Sequence, residues 1–405
     1  MKLAKRQFIN YSILIPYLIL SIIGLIVVYS TTSVLSIQVG KSPFRSVLNQ
    51  GLFWVISLVL TGLIYRMNLN FLKNRKLIRI IMIIEILLLL YSRFFTGIIN
   101  GAHGWIMVGG FFSVQPAEYL KVIVVWFLAE EFARKQDQIE LYDYQVITKN
   151  KWITLSLKDW RSWWLMMVGI VVSMPDLGNA TIVALTTLVM ISVSGIAHRW
   201  FGTLLTAIGL GSGAVLATIW VLGVDTVAKI PVFGYVAKRF RAYYNPFADL
   251  SDSGHQLAHS LYAITNGGWF GLGLGNSIEK KGYLPESQTD FAFAIVMEEF
   301  GFIGAGLILA LLFFLILRII LVGIRAKDPF NSMMAIGIGG MLLTQTFVNI
   351  GGISGLIPMT GVTFPFLSQG GNSLLILSVS IAFVLNIDAS EKRDALLREL
   401  EVESQ

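Results

Sequence analysis

The sequence predicts an all-α integral membrane protein with ten transmembrane helices, cytoplasmic N- and C-termini, and a large extracellular loop between the seventh and eighth helices. Its composition is far from that of a soluble domain, because 55% of the 405 residues are hydrophobic, 14% are charged, and the mean hydropathy is +0.71. Apolar runs long enough to cross a bilayer recur along the chain. Lys and Arg are concentrated in alternate connections between these runs, as expected for cytoplasmic loops.

Ten segments come close to the roughly 20 mostly apolar residues that a helix needs to cross the hydrocarbon core. They lie near 11–32, 47–65, 77–95, 116–133, 162–174, 179–197, 201–223, 291–317, 331–350 and 370–387. The fifth segment is short, so we expect it to be tilted or broken. The first segment is too long for the apolar part of a signal peptide, so we expect it to be retained as a membrane span.

The positions of Lys and Arg set the predicted orientation. With a cytoplasmic N-terminus, the inner segments are 1–7, 66–79, 134–161, 198–199, 318–330 and 388–405, and they contain 21 of the 31 Lys and Arg residues. We predict one membrane domain over residues 1–390 and a cytoplasmic tail over 391–405. This arrangement explains the net charge of +7 without nucleic-acid binding. The absence of Cys excludes disulfides and thiolate metal sites.

Two outer connections are too elaborate to be simple turns, and a third segment is unsuited to a membrane span. Residues 94–115 are dense in Gly and aromatic residues, and the 67-residue loop 224–290 contains two amphipathic segments, Tyr235–Tyr244 and His255–Thr265. We expect both segments to be helices at the outer interface. Residues 351–369, rich in Gly, Pro, Ser and Thr, cannot form a lipid-facing span, so we expect them to re-enter the protein or line a cavity.

Asp290 stands where the polar end of the long loop meets the eighth apolar run. A carboxylate at the mouth of a membrane span needs a partner or a water-filled cavity, which makes it a candidate functional residue. The alternative is that Asp290 caps the helix, because a carboxylate suits the positive end of a helix dipole. Local physics alone favours capping.

Glu118 and Lys121 share one face at the start of the fourth span. They could form an ion pair that offsets its own burial cost, or Lys121 could face a cavity and bind an anion. Spacing alone does not separate these alternatives.

Several other charged residues are unusual for their positions. Asp176 precedes the sixth span, where capping is the favoured interpretation. Glu85 lies alone in the third span, and Glu298 and Glu299 follow in the eighth. Arg239, in an outer basic cluster, could contact lipid phosphate or bind an anionic ligand.

Five motifs, in order along almost the whole chain, resemble the SEDS family (shape, elongation, division and sporulation), which includes FtsW, RodA and SpoVE. They are GAHGWIMVGGFFSVQPAEYLK, PDLGNA, the pair RFRAYYNPFAD and GHQLAHSLYAITNGGWFGLGLGNS, LPESQTDFAFAIVMEEFG, and NIGGISGLIPMTGVTFPFLSQGGNS. Within the family, the long loop and the tail are most similar to FtsW of Gram-positive cocci.

The resemblance implies a peptidoglycan glycosyltransferase that polymerises lipid II into β-1,4 glycan strands at the outer face of the membrane, for septal wall synthesis during division. Asp290 matches the family's proposed catalytic carboxylate, which reverses the preference for capping. The substrate-binding residues expected from the matching motifs are Lys121, Glu118, Arg239, Gln256, Ser260, Glu286, Thr289 and Ser368. The resemblance fixes no cofactor. Lys121 and Arg239, or a divalent cation such as Mg²⁺ or Mn²⁺, would neutralise the pyrophosphate.

The expected partners are lipid II, a class B penicillin-binding protein transpeptidase and other membrane proteins of the division machinery. The alternative functions are a lipid II flippase and a non-catalytic scaffold of that machinery. The sequence departs from the family pattern at Gly104, where the family has Arg, so any ligand role of that Arg is either absent or supplied elsewhere, with His103 as a candidate. Gln288, Gln369 and Asn372 also replace family residues, and none of these changes removes the carboxylate of Asp290.

Overall fold

A computed structural model describes residues 5–97, 104–108, 112–136, 159–195, 198–227, 233–247 and 254–403. These residues form thirteen α-helices and one two-stranded hairpin. The helices are α1 Tyr11–Gln38, α2 Arg45–Arg66, α3 Arg75–Phe95, α4 Pro116–Arg134, α5 Trp160–Ser173, α6 Leu177–Val193, α7 His198–Leu222, α8 Val224–Val227, α9 Phe233–Tyr244, α10 His255–Asn266, α11 Ala292–Arg325, α12 Pro329–Ile353 and α13 Gly371–Glu403.

Every predicted span coincides with a helix, and α9 and α10 confirm the two predicted amphipathic helices. In the described part of the chain, α1, α2, α11, α12 and α13 are long and apolar enough to cross a membrane. The chain is therefore a multi-pass, predominantly helical membrane protein. The count of ten spans, the positions of the termini and the domain boundary stay predictions. The helix α13 continues without a break across residues 390 and 391.

The all-α prediction needs one correction, because a small antiparallel hairpin precedes α4. Strand β1, Ile106–Val108, pairs with β2, Phe112–Val114, with Met107 opposite Ser113. Both strands are rich in β-branched and aromatic residues, which favour extended structure over a short helix. The hairpin lies within residues 94–115, one of the connections that we expected to be more than a simple turn.

Helix α12 forms the centre of the bundle and packs against α4, α6 and α11. Its glycines allow this close approach. A Cβ atom at Gly337 would lie 2.6 Å from a methyl group of Val125 on α4, and one at Gly340 would lie 2.8 Å from a methyl group of Val189 on α6. Small residues at such crossings let membrane helices pack backbone to backbone.

Helix α11 is interrupted at Gly301, which has φ 68° and ψ −178°. The backbone N–H groups that the break leaves free donate to the loop after α10, from Phe302 to Gly268 O at 2.9 Å and from Ile303 to Trp269 O at 3.1 Å. The predicted continuous span over 291–317 is therefore two helical pieces joined to a loop. Hydrogen bonding to that loop replaces the bonds that an unbroken helix would make.

We expect Gly301→Ala to destabilise the protein much more than Gly306→Ala in the same helix. An added Cβ at Gly301 would lie 2.4 Å from the backbone nitrogen of Gly271, whereas Gly306 has open space around it. Backbone strain alone at such a conformation costs about 1–3 kcal/mol in free energy of unfolding, and the clash adds to it. Thermal unfolding of both purified variants checks this, and equal unfolding midpoints would contradict it.

The connection between α12 and α13 is non-helical and lies partly inside the protein. Phe364 and Leu367 are buried there, and Gly24 of α1 lies against the backbone carbonyl of Phe366. This confirms that residues 351–369 do not form a lipid-facing span. At the other end of the bundle, Lys5 donates to the side chain of Asn386, so the N-terminal segment lies against the middle of α13.

Candidate active site

A small pocket surrounds Asp290 at the entrance to α11. Residues of α9, α10, α12 and the connection after α12 enclose it. Its volume is about 20 Å³, which is room for about one water molecule. The lining consists of Arg239, Gln256, Asp290, Phe291, Asn349, Gly352, Ile353, Met359, Thr360, Gly361 and Val362.

Asp290 does not cap α11. The capping interpretation, which N-cap and helix-dipole preferences alone favoured, is therefore wrong. The residue at the N-cap position is Phe291, and no side chain makes a capping hydrogen bond there. By contrast, Asp176 caps α6 as predicted, because its Oδ1 accepts a hydrogen bond from the backbone N–H of Asn179 at 3.1 Å. The carboxylate of Asp290 is instead a wall of the pocket.

Arg239 of α9 reaches the same pocket. Its Nη1 donates to the backbone carbonyl of Met359 at 2.5 Å. Gly361 brings the two charges together, since a Cβ atom there would lie 3.1 Å from Arg239 Nη2 and 3.3 Å from Asp290 Oδ2. With φ at +72°, Gly361 also has a backbone conformation that favours glycine. A guanidinium and a carboxylate thus face one glycine.

The surroundings of Asp290 set its proton affinity. The pKa of Asp290 is raised to about 6. Burial is the main cause of this net rise; the nearby Arg239 guanidinium opposes it, and the negative charges of Glu286 and Asp176 add to it. At pH 7 a group with this pKa is about nine-tenths ionised, so it is a competent proton acceptor. A pKa near the working pH is the property that a general base requires.

Asn349 of α12 holds two sides of the pocket and was not predicted. Its Nδ2 donates to the backbone carbonyls of Asp290 at 2.8 Å and Val362 at 2.6 Å. Its Oδ1 is buried and has no hydrogen-bond partner among the described residues. A buried acceptor without a partner is costly, so it is a position that a substrate hydroxyl or water would satisfy. The only signal in the sequence was a single Asn in an apolar run.

Glu118 and Lys121 form the predicted ion pair, with 2.9 Å between Lys121 Nζ and Glu118 Oε1. Lys121 also donates to Gln345 Oε1 at 3.3 Å and is completely buried. Gln345 in turn donates to the backbone carbonyl of Thr363 at 3.0 Å, next to the pocket residue Val362. The pair therefore supports one wall of the pocket. Substrate binding by either residue stays a prediction.

Besides Arg239, three of the predicted binding residues lie in or next to the pocket. Gln256 of α10 lines it directly. Thr289 donates through its hydroxyl to Glu286 Oε2 at 2.9 Å, so both precede Asp290 in one hydrogen-bonded turn. Glu286 has a positive φ of 55°, an uncommon conformation for a residue with a side chain. This turn places a second negative charge beside Asp290.

Two other predicted binding residues have structural partners. The hydroxyl of Ser260 donates to the backbone carbonyl of Ile353 at 2.8 Å and joins α10 to the end of α12. The hydroxyl of Ser368 accepts a hydrogen bond from the backbone N–H of Phe364 at 2.8 Å. Both contacts hold the segments that enclose the pocket. Binding of substrate by Ser260 and Ser368 stays a prediction.

The buried charges outside the pocket are mostly paired. Lys280 and Glu299 form a buried ion pair at 2.6 Å, and Glu298 accepts from the backbone N–H of Ile278 at 3.1 Å. These bonds hold the loop after α10 against α11. Glu85 is buried, and its Oε1 has no partner in the described residues. The candidate His103 and the side chain of Lys238 lie outside the described residues.

The pocket is a poor fit for a divalent cation. Its own lining contributes one carboxylate, that of Asp290, and places the Arg239 guanidinium beside it. Mg²⁺ and Mn²⁺ prefer several oxygen ligands, and a neighbouring guanidinium repels them. The described ranges contain no group of three or more His, Asp or Glu side chains arranged to bind a metal. The chemistry of this lining therefore favours neutralisation of an anionic ligand by Arg239 over neutralisation by a bound metal.

Comparison with known proteins gives a consistent result. Residues 11–393 match the family FtsW/RodA/SpoVE, described as "Cell cycle protein". The chain is 51% identical to "Probable peptidoglycan glycosyltransferase FtsW" of Lactococcus lactis, over 97% of this chain and 95% of that protein. It is 38% identical to "Stage V sporulation protein E" of Bacillus subtilis, over 95% and 98%.

Solved structures share the fold. One chain of a structure described as "Structural coordination of polymerization and crosslinking by a peptidoglycan synthase complex" gives a TM-score of 0.70 at 22% identity, covering 95% of this chain and 98% of that chain. The rod shape determining protein RodA of Thermus thermophilus gives a TM-score of 0.64 at 21% identity, covering 95% and 97%. The chain belongs to the FtsW/RodA/SpoVE family of cell cycle proteins.

Proposed function

We propose that this protein is a peptidoglycan glycosyltransferase that polymerises lipid II into β-1,4 glycan strands at the outer face of the membrane. The names of its relatives support this activity, at 51% identity over nearly the whole length of the first. The observation that carries the proposal is the Asp290 pocket, where a carboxylate that does not cap its helix has a pKa of about 6. Septal wall synthesis during division is the corresponding cellular role.

The chemistry needs one base. The acceptor's 4-hydroxyl oxygen attacks C1 of the donor sugar, the bond from C1 to the pyrophosphate oxygen breaks, and the hydroxyl proton passes to the Asp290 carboxylate. The configuration at C1 inverts from α to β. The undecaprenyl pyrophosphate leaves as an anion, so it needs positive charge rather than a proton. A second catalytic acid is not required, unlike in glycoside hydrolysis.

Arg239 is the first candidate for stabilising the leaving pyrophosphate. It faces the same glycine as Asp290, and a guanidinium binds phosphate oxygens in a bidentate manner. Lys121 is enclosed and paired with Glu118, so it would act on the pyrophosphate only after a rearrangement. We therefore assign Lys121 a supporting place behind the pocket wall. Asn349 Oδ1 is an acceptor that could orient the incoming hydroxyl group.

We further propose the ten-span topology, with cytoplasmic termini and the site on the outer face. The accumulation of Lys and Arg in alternate connections supports it. A class B penicillin-binding protein transpeptidase is the proposed partner at the division septum, together with other membrane proteins of the division machinery. The support is the shared fold with a chain from a peptidoglycan synthase complex.

Polymerisation by the purified protein tests the proposal. Labelled lipid II is mixed with the protein, with and without the partner transpeptidase, and the glycan products are separated by length. Glycan polymer in either mixture supports the glycosyltransferase, provided that the partner alone produces none. Movement of lipid II across vesicle membranes without polymer would indicate a flippase. Neither activity, with retained partner binding, would indicate a scaffold.

The pH dependence of polymerisation should report the charges around Asp290. We expect the wild-type rate to fall as the pH drops through about 6, because the base becomes protonated. Glu286→Gln removes a negative neighbour that raises the pKa, so the fall should move to lower pH. Arg239→Gln removes the cation that lowers the pKa, so the fall should move to higher pH. Initial rates across the acid range measure both shifts.

Arg239→Lys is the matched control for this series, because it keeps the positive charge and should leave the position of the fall nearly unchanged. Shifts of both neutral variants in the same direction would contradict the assignment of Asp290 as the titrating base.

A further inference from the structure

A second pocket lies at the end of α11 that is remote from Asp290. It has a volume of about 180 Å³ and is bounded by the last turns of α11, the connection to α12 and the part of α13 that begins at Asp388. Five basic side chains border it: Arg318, Arg325, Lys327, Lys392 and Arg398. This cavity is larger than the Asp290 pocket, and the proposed function does not use it.

The pocket contains two carboxylates, of which one is ion-paired. Asp388 accepts hydrogen bonds from Asn10 Nδ2 at 3.0 Å and from Lys392 Nζ at 2.6 Å. Glu391 accepts from the backbone N–H of Lys327 at 3.0 Å. Asp388 is therefore neutralised by Lys392, whereas Glu391, whose donors are neutral, offsets one of the four other positive charges and leaves a net charge of about +3 around the cavity.

Four of the basic side chains keep their full positive charge towards the cavity. Among the described residues, Arg325, Lys327 and Arg398 form no ion pair, and Arg318 donates only to the neutral hydroxyl of Ser12, at 2.8 Å. Like charges gathered around one small cavity repel each other, and an anion placed among them removes that cost. The pocket therefore has the charge of an anion site.

The surface beside the pocket indicates which class of anion the pocket suits. Phe314, Leu317, Leu321 and Ile324 recur on one face of α11 at helical spacing. Phe314, Leu317 and Ile324 are exposed apolar residues, and Leu321 lines the pocket itself. An apolar stripe thus leads along a membrane helix directly to the basic cavity. A ligand with an acyl chain and a phosphate would satisfy both surfaces.

We propose that this pocket binds the phosphodiester head group of an anionic phospholipid, with an acyl chain lying on the α11 stripe. Arginine side chains bind phosphate oxygens in a bidentate manner and are less strongly hydrated than lysines, so the three arginines suit this ligand. The inference does not depend on the proposed enzymatic activity. It concerns the opposite end of α11 and its membrane surroundings.

Native mass spectrometry of the full chain in detergent tests this proposal. Dioleoylphosphatidylglycerol is titrated against dioleoylphosphatidylcholine, and the fraction of protein that carries one lipid is measured. We expect preferential binding of the anionic lipid by the wild type. Arg325→Gln with Arg398→Gln should weaken that binding about thirtyfold, taking a typical contribution for each basic residue near a lipid surface. Both residues are exposed, so folding should be retained.

The matched control is Arg66→Gln with Lys76→Gln, which removes the same charge outside the pocket, near the same end of the bundle. We expect this control to keep nearly wild-type binding. An equal loss in both double variants would show attraction by overall charge and overturn the site. Equal binding of the two lipids would also overturn it. Displacement of the bound lipid by inorganic phosphate alone would assign the pocket to a free anion instead.

Discussion

Asp290→Asn is expected to abolish glycan polymerisation while the protein still inserts, folds and binds its partner. Asn has nearly the shape of Asp but no basic carboxylate, and loss of a general base typically lowers a rate by roughly a hundredfold to ten-thousandfold. The structure predicts little effect on α11 itself, because Asp290 makes no capping bond to that helix. Polymerisation assays and thermal unfolding of the same preparation separate the two effects.

Asp328→Asn is the matched control for this experiment. Asp328 is a true helix cap, since its Oδ1 accepts a hydrogen bond from the backbone N–H of Asn331 at the start of α12. Asp328 lies at the opposite end of α11 from the Asp290 pocket. The same chemical change should therefore leave polymerisation close to wild type. Near wild-type polymerisation by Asp290→Asn at normal membrane abundance would instead direct the search for the base to Glu286.

Lys121→Ala is expected to cause the second large effect, through stability rather than through direct loss of a ligand. Removing the ammonium leaves Glu118 buried without its ionic partner, and breaking a buried pair in this way typically costs about 3–5 kcal/mol in free energy of unfolding. Glu118 Oε2 already lacks a partner among the described residues, which adds to the strain on this site. Thermal unfolding and polymerisation should both decline.

The double variant Lys121→Ala with Glu118→Ala distinguishes pairing from ligand binding. If the pair only supports the wall, removing both charges should recover much of the stability and polymerisation that the single variant loses. If Lys121 binds the pyrophosphate, the double variant should regain stability but remain inactive. The second outcome would contradict the supporting role that we assign from the geometry.

The long helices could be predicted from the sequence because their information is local. A run of apolar residues needs internal hydrogen bonding in a membrane wherever it packs, so the ten apolar segments could be identified one at a time. The break in α11 could not be predicted, because Gly301 is stabilised by the backbone of the loop at 267–273. The hydrogen bonds between this loop and α11 join two segments whose contact cannot be inferred from the apolar pattern of either one. The hairpin β1–β2 was missed because each strand has only three residues.

The functional site shows the same distinction. Residues with a clear local signal could be predicted, and residues whose role depends on distant segments could not. The residue Asp290 could be selected because a carboxylate at the mouth of an apolar run is costly, but local physics favoured capping and only the motif resemblance reversed that preference. Arg239 and Gln256 were predicted and do reach the pocket. Asn349 and Gly361 were missed as site residues, since their importance arises from segments far apart in the chain. The role of a single Asn or Gly becomes clear only when the residues packed around it in the structure are known.

In the mechanism that we propose, the charge environment of Asp290 also affects how each catalytic cycle ends. After sugar transfer the carboxyl group holds the proton taken from the acceptor, yet its pKa is about 6. In neutral surroundings, release of that proton to water is favourable by about 1.4 kcal/mol for each pH unit above the pKa. The protein thus needs no separate proton acceptor to reset the base. In the proposed mechanism, proton release to water therefore regenerates the carboxylate between one sugar addition and the next.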